Sequence, residues 1–218
     1  MISSMTDGAS RPTAGALRLI ESRSEIPESV SVGAYLGAVG EHCPFLDGSR
    51  SRGLTGWTVY RIASGANRYA VEAELFYAGV QAAERLRPLM GLRHGQLRCE
   101  NLVLLGDVVD NSHQELLAWP HWGLKNLYSE VGVMFGKFAK GVVETDRFGR
   151  CIPSPPFTFL TVRASVRRLD PGFLRATPLL ASSLAEADDD GRDVFREIPC
   201  EWEAVKAWAS SLPQPQQH

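Results

Sequence analysis

The chain has 218 residues and carries 23 Lys and Arg against 25 Asp and Glu, a net charge of -2. That balance gives no electrostatic case for nucleic acid or an anionic membrane surface as a partner, and the length suffices for one domain with a sizeable core. No run of about 18 apolar residues occurs, and the N-terminus lacks the basic-then-apolar order of a secretory signal. The expectation is a cytoplasmic protein acting on a small-molecule substrate, with neither nucleic acid nor membrane as partner and a homodimer left open.

Residues 1–14 are Ser/Thr/Gly-rich and aperiodic, and 211–218 are polar and broken by proline, which predicts two flexible tails around a single domain spanning 15–210. The apolar spacing over 29–39 predicts a short helix ending at Gly40. "EHCPFLDGSRSRG" (41–53) then reads as a tight connection into a strand over 54–63, where aromatic and β-branched residues roughly alternate. Over 69–87, Val71, Leu75, Ala78, Ala82 and Leu86 recur at three- and four-residue steps before Pro88, which predicts a helix. The apolar run 101–109 suits a buried strand, so that strand, helix and strand form a βαβ unit.

Helical character from His113 is expected to break at "WPHWG" around Pro120 and to resume over 124–130, followed by a strand over 131–138. Residues 139–156 show no period and read as a functional loop rather than a spacer. Residues 157–168 are the clearest strand; a "DPGF" turn, a helix near 179–187, an acidic turn and a Trp-anchored helix over 201–209 complete the pattern. The fold class is α+β: a single domain with a mixed or mainly antiparallel sheet of about four to five strands packed by helices.

The four cysteines, Cys43, Cys99, Cys151 and Cys200, stand singly, and the five histidines form no HExxH or i,i+4 pair, so a local zinc site has no support. Cys43 follows a helix C-terminus, whose dipole does not stabilise a thiolate. It is therefore either a buried structural thiol or, with His42, a group facing a cofactor, since sulfur and imidazole are the usual protein ligands to iron. Arg50, Arg52, Arg147, Arg150 and Arg163 are candidates to clamp an anion through guanidinium forks. Trp119, His121 and Trp122 line either an aromatic pocket or a kinked helix junction. No GxSxG, GxGxxG or phosphate-cradling GxxxxGK[ST] signature is present.

"HCPFL" ahead of the first predicted strand, "VGVMFGKF", an arginine-bearing loop and "SPPFTFLTVRASVRRLDPGFL" together resemble, over about residues 40–174, the bacterial families related to the YqcI/YcgG group. Cys43, Pro44 and Phe45 match the opening motif, Gly136 and Phe138 the second, and Arg147, Arg150 and Pro155 the loop and strand entry. The resemblance implies a haem-dependent oxygenase, or a related redox enzyme, acting on an amino acid or amine in bacterial specialised metabolism. Haem would then be held among Cys43, His42, Phe45, His121 and Phe138, with Cys43 the metal ligand, and Arg147, Arg150 and Arg163 would hold the substrate. The sequence departs from that pattern at Ala139, where the families carry His, and at Lys140, where they carry Pro. The departure supports an alternative, a haem-free small-molecule enzyme or binding protein on the same fold. A third reading is an interaction protein with an exposed Trp119/Trp122 patch.

Overall fold

The computed structural model describes residues 15–107, 113–128, 132–146 and 148–166. The element order is β1 (Leu17–Ser24), α1 (Gly33–Val39), α2 (Leu46–Arg50), β2 (Thr55–Ile62), α3 (Arg68–Leu86), β3 (Cys99–Leu105), α4 (His113–Tyr128), β4 (Val133–Phe138), β5 (Glu144–Thr145), β6 (Cys151–Ile152) and β7 (Thr158–Ala164). A five-stranded mixed sheet of order β1-β2-β3-β7-β4 forms the centre, and β5 and β6 make a separate two-stranded hairpin. β2 and β3 are parallel, joined through α3, and every other pairing in the large sheet is antiparallel. This is the expected α+β fold. The four predicted strands share one sheet, and β7 and β4 are antiparallel neighbours. The helices predicted over 179–187 and 201–209 lie outside the described residues.

The side-chain alternation of a strand separates the two faces of this sheet. Leu102 and Leu104 of β3, Leu160 and Val162 of β7, and Val133 and Phe135 of β4 are buried against α3 and α4. Trp57, Val59, Val103 and Phe159 point the other way, toward Tyr35, Leu36 and Val39 of α1. α3 starts where its sequence says it should, with the Asn67 side chain accepting from the Ala70 N–H at 2.9 Å in an N-cap.

Four elements differ from the expectation, each for a physical reason. β1 was not foreseen because an edge strand needs only one paired side and few buried side chains. Leu19 is more than half exposed, the register to β2 is bulged, and the strand start is pinned by Glu74 of α3, whose carboxylate accepts the N–H groups of Gly15, Ala16 and Leu17 at 2.7–2.9 Å. The connection 41–53 contains the short helix α2. It closes on Gly53 at φ +62°, where a side chain would meet the Glu25 carboxylate at 2.8 Å. The loop 139–156 contains the β5–β6 hairpin.

The fourth is α4, which runs unbroken through Pro120. An internal proline costs roughly 3 kcal/mol in a lost hydrogen bond and a ring clash. Against this, Leu116, Leu117, Trp119, Trp122, Leu124 and Leu127 are all buried, at roughly 1.5–3 kcal/mol each for aliphatic side chains, so packing wins. The same burial removes the expected exposed aromatic patch, since Trp119 and Trp122 are 4% and 5% exposed.

α3 and α4 approach closely at Gly79, where an added Cβ would lie 2.9 Å from Leu124 Cδ2 and closer still to Cδ1. Gly79→Val is expected to lose about 1–3 kcal/mol despite its better helix propensity than glycine, through overpacking of this crossing. Urea denaturation checks this, and unchanged stability would mean that the helices have room to separate.

Candidate functional site

The sheet face opposite α3 and α4 carries a cavity of about 450 Å³, inside the range of roughly 300–1,000 Å³ typical of small-molecule sites. Its floor follows from strand register. Thr55, Cys99, Arg163 and Met134 are aligned across β2, β3, β7 and β4; the next row is Trp57, Asn101, Thr161 and Gly136; the third is Val59, Val103, Phe159 and Phe138. Along the strands the floor therefore changes from polar and cationic to aromatic and aliphatic. At the polar end, Thr161 Oγ1 donates to Asn101 Oδ1 at 2.7 Å, Cys99 Sγ donates to the same oxygen at 3.7 Å, and Ser49 and Thr55 hydroxyls are 2.5 Å apart. At the other end the Phe138 and Phe159 rings stack at 4.6 Å, and Tyr35 meets Phe159 edge-on at 6.1 Å.

The walls come from the α1–α2 connection and the β5–β6 hairpin. His42, Cys43, Pro44 and Phe45 line one side, and Asp146, Phe148, Arg150 and Ile152 the other. Asp146 joins them. Its Oδ1 accepts the N–H groups of Phe148 and Arg150 at 2.8 and 3.0 Å. Its Oδ2 takes Arg150 Nε at 2.7 Å and His42 Nδ1 at 3.1 Å. A second arginine nitrogen donates to the Glu41 carbonyl at 3.1 Å. Burial alone would raise the Asp146 carboxyl, but the hydrogen bonds from the Arg150 backbone, His42, the Arg150 side chain and the Phe148 backbone outweigh it and hold the group well below the usual carboxylate range. His42 and Asp146 are largely buried, with side chains 13% and 7% exposed.

A carboxyl depressed in the native state stabilises the fold above its unfolded value of about 3.9 and loses that contribution as pH falls below it. Between pH 6 and 2, Asp146→Asn should therefore show a shallower fall in stability than the wild type in a urea series. Parallel curves would contradict the tie between hairpin and helix.

His42, Cys43, Phe45, Phe138, Arg150 and Arg163 all line the one cavity, as does Gly136. Cys43 is half-buried rather than wholly enclosed, whereas the Cys99 thiol is pushed up to about 12, chiefly by burial, and is an inert neighbour. Phe45 is buried with the Arg163 guanidinium carbon 4.0 Å above its ring centroid. Arg50 and Arg52 belong to α2 and its exit, and Arg52 bonds the Gly48 carbonyl. Arg147 lies outside the described residues.

Two expectations change. Arg150 is committed to Asp146 and to the Glu41 carbonyl, so it builds the wall rather than presenting a substrate clamp. His121 is on α4, across the sheet from the cavity, with Nε2 3.2 Å from the Phe135 carbonyl oxygen. Burial, aided by Lys137 and Lys125, pushes its imidazole down to about 3. It therefore does not join Cys43 and His42 in one site.

Asp146, Asn101 and Thr161 were not singled out by sequence. Their signals were present: an Asp opening the Gly-containing turn "DRFG", and polar residues inside the strands "NLVLL" and "FTFLTVRA", where an apolar run gives no reason for them. Among the described residues no group of three or more His, Cys, Asp or Glu is placed to hold a metal ion, and no helix is long and apolar enough to cross a membrane. No protein-family model matches this chain, and no curated protein and no solved structure matches it.

Proposed function

We propose that the protein binds a small molecule in the cavity between the sheet and the α1–α2 connection and acts on it with His42 as the proton-handling group. The observation that carries this reading is the His42–Asp146 pair on the cavity wall. With Nδ1 committed to a carboxylate, the tautomer is fixed and Nε2 is the nitrogen left to accept or donate a proton, which is how an imidazole is prepared for general acid–base work. The aromatic rows of the floor supply apolar contact area, and its few polar groups orient the bound molecule.

The test is a melting-temperature screen with a library of metabolites, since a ligand that binds only the native state raises the transition. Ligands that stabilise the wild type should fail to stabilise Gly136→Leu. That side chain grows into the cavity from the middle row, its Cβ 3.2 Å from the Phe138 ring. A panel that shifts neither protein, or shifts both alike, would overturn the reading. A hit that is turned over should lose turnover in His42→Asn while still binding.

A second reading is a haem-dependent oxygenase or related redox enzyme acting on an amino acid or amine, and the same histidine favours it. Metal-ligating histidines characteristically give their other ring nitrogen to a carboxylate, and His42 has that arrangement. Trp57, Phe138 and Phe159 offer the apolar surface a macrocycle would need. Bound haem would supply oxygen activation, and this chain's residues would hold the ring, orient the substrate and keep water out. Reconstitution should then give a Soret band that His42→Ala abolishes and Cys43→Ser leaves unchanged. Sensitivity to Cys43→Ser alone would move the ligand to the cysteine, and absence of any band would remove haem.

A further inference from the structure

The charges that line the cavity are already answered by the protein. Asp146 accepts from Phe148, Arg150 and His42 through both carboxylate oxygens. Arg150 is bound to that carboxylate and to the Glu41 carbonyl, and Arg163 is engaged as well, by the Phe45 ring and the Ala164 carbonyl among its contacts. Glu41, which also lines the cavity, is exposed to solvent. A charged ligand would leave water without gaining an unengaged counter-ion inside, and burying an unpaired charge is strongly unfavourable.

One lining donor, by contrast, is unanswered. Trp57 stands in the middle row of the floor, in register with Asn101 of β3. It is 1% exposed, and its Nε1–H has no hydrogen-bond partner among the described residues. Its neighbour in the row cannot serve it, because the Asn101 amide oxygen is engaged by Thr161 and Cys99. A buried N–H keeps its full desolvation penalty until an acceptor reaches it, and the cavity that Trp57 lines is open to one. The surroundings are aromatic, with the Phe159 ring 5.7 Å from the indole and Phe138 stacked on Phe159.

Resting on the first reading above, we infer that the ligand is an uncharged, largely apolar molecule bearing a carbonyl, whose oxygen accepts the Trp57 indole N–H. Its apolar body lies over the Phe159 and Phe138 row. A hydrocarbon of the same shape leaves the donor unmet, and a carboxylate or an ammonium brings a charge with no unengaged partner.

Titration of the 15N-tryptophan-labelled protein with 4-phenylbutan-2-one tests this. The Trp57 indole N–H resonance, assigned by through-bond correlation, should move downfield as the ketone saturates the protein, and butylbenzene should bind without that shift. The resonances of Trp119 and Trp122, packed on the opposite face of the sheet, should stay still. By isothermal titration, Trp57→Phe should weaken the ketone about three- to tenfold more than it weakens butylbenzene, the margin of one neutral hydrogen bond. 4-Phenylbutyrate and 4-phenylbutylamine should bind at least about tenfold more weakly than the ketone. If Trp57→Phe does not fold, the wild-type resonance and the two charged probes decide. A ketone that saturates without moving the Trp57 signal downfield, or that loses no more affinity in Trp57→Phe than butylbenzene does, would overturn the carbonyl contact. An acid or amine that binds as tightly as the ketone would overturn the uncharged class. The cavity reading would survive these results as long as Gly136→Leu blocks whatever binds. If none of the four probes binds, the ligand class fails, and the melting screen with Gly136→Leu decides the cavity separately.

Discussion

Lowering the pH from 7 to 4 is expected to remove about 3 kcal/mol of stability through His121 alone. This imidazole is desolvated between α4 and β4 and flanked by Lys137 and Lys125, and these effects outweigh its bond to the Phe135 carbonyl, so its proton affinity is pushed down to about 3 from an ordinary 6.5. A native value below the unfolded one means that the unfolded chain takes up a proton that the native chain refuses. The stabilisation is therefore complete above pH 6.5 and is lost progressively down to about pH 3. Each unit is worth about 1.36 kcal/mol, and two and a half units separate 6.5 from pH 4. Urea unfolding at several pH values measures this, and His121→Gln, which cannot take up the proton, should flatten the curve over that range. An equally steep loss in His121→Gln would place the acid sensitivity elsewhere.

Trp57→Ala is expected to cost about 3–5 kcal/mol, the range for removing a buried tryptophan. The indole is 1% exposed and sits 5.7 Å from the Phe159 ring centroid and 6.0 Å from that of Phe157, at the centre of the cluster beneath α1. Its Nε1–H has no partner among the described residues, so the loss is one of packing and apolar burial rather than of a hydrogen bond. The same change widens the floor beside Asn101 and should weaken any ligand seated there. A loss below about 1 kcal/mol would mean that the aromatic layer collapses to fill the space, against the packing described here.

The elements that were legible in the sequence are those whose side-chain pattern has a single physical explanation. α3 shows a 3.6-residue stripe, β3 lies in a continuous apolar run, and β2 and β7 are rich in aromatic and β-branched residues. β1 was not legible because its exposed edge asks little of its side chains and its anchor, Glu74, is 57 residues or more away in sequence. Pro120 gave a false break because local helix propensity is weaker than the burial of the surrounding tryptophans and leucines. The site was half legible. His42 and Cys43 were marked by their place in a turn, and Arg163 by its residue type. The bond that organises them, from His42 to Asp146, spans 104 residues and has no sequence signature. Arg150 lines the cavity, but its bonds to Asp146 and the Glu41 carbonyl were not legible, because residue type shows what a guanidinium can bind and not which carboxylate reaches it first.

The two histidines on opposite faces of the sheet offer the most direct test of the central claim, that the α1 side is where a small molecule is bound. Imidazole resonances of the 15N-histidine-labelled protein, assigned through His42→Gln and His121→Gln, can be followed as a melting-raising ligand is added. His42 should shift in proportion to occupancy while His121, shielded behind the sheet, stays still. A ligand that saturates the protein and moves His121 but not His42 would contradict it.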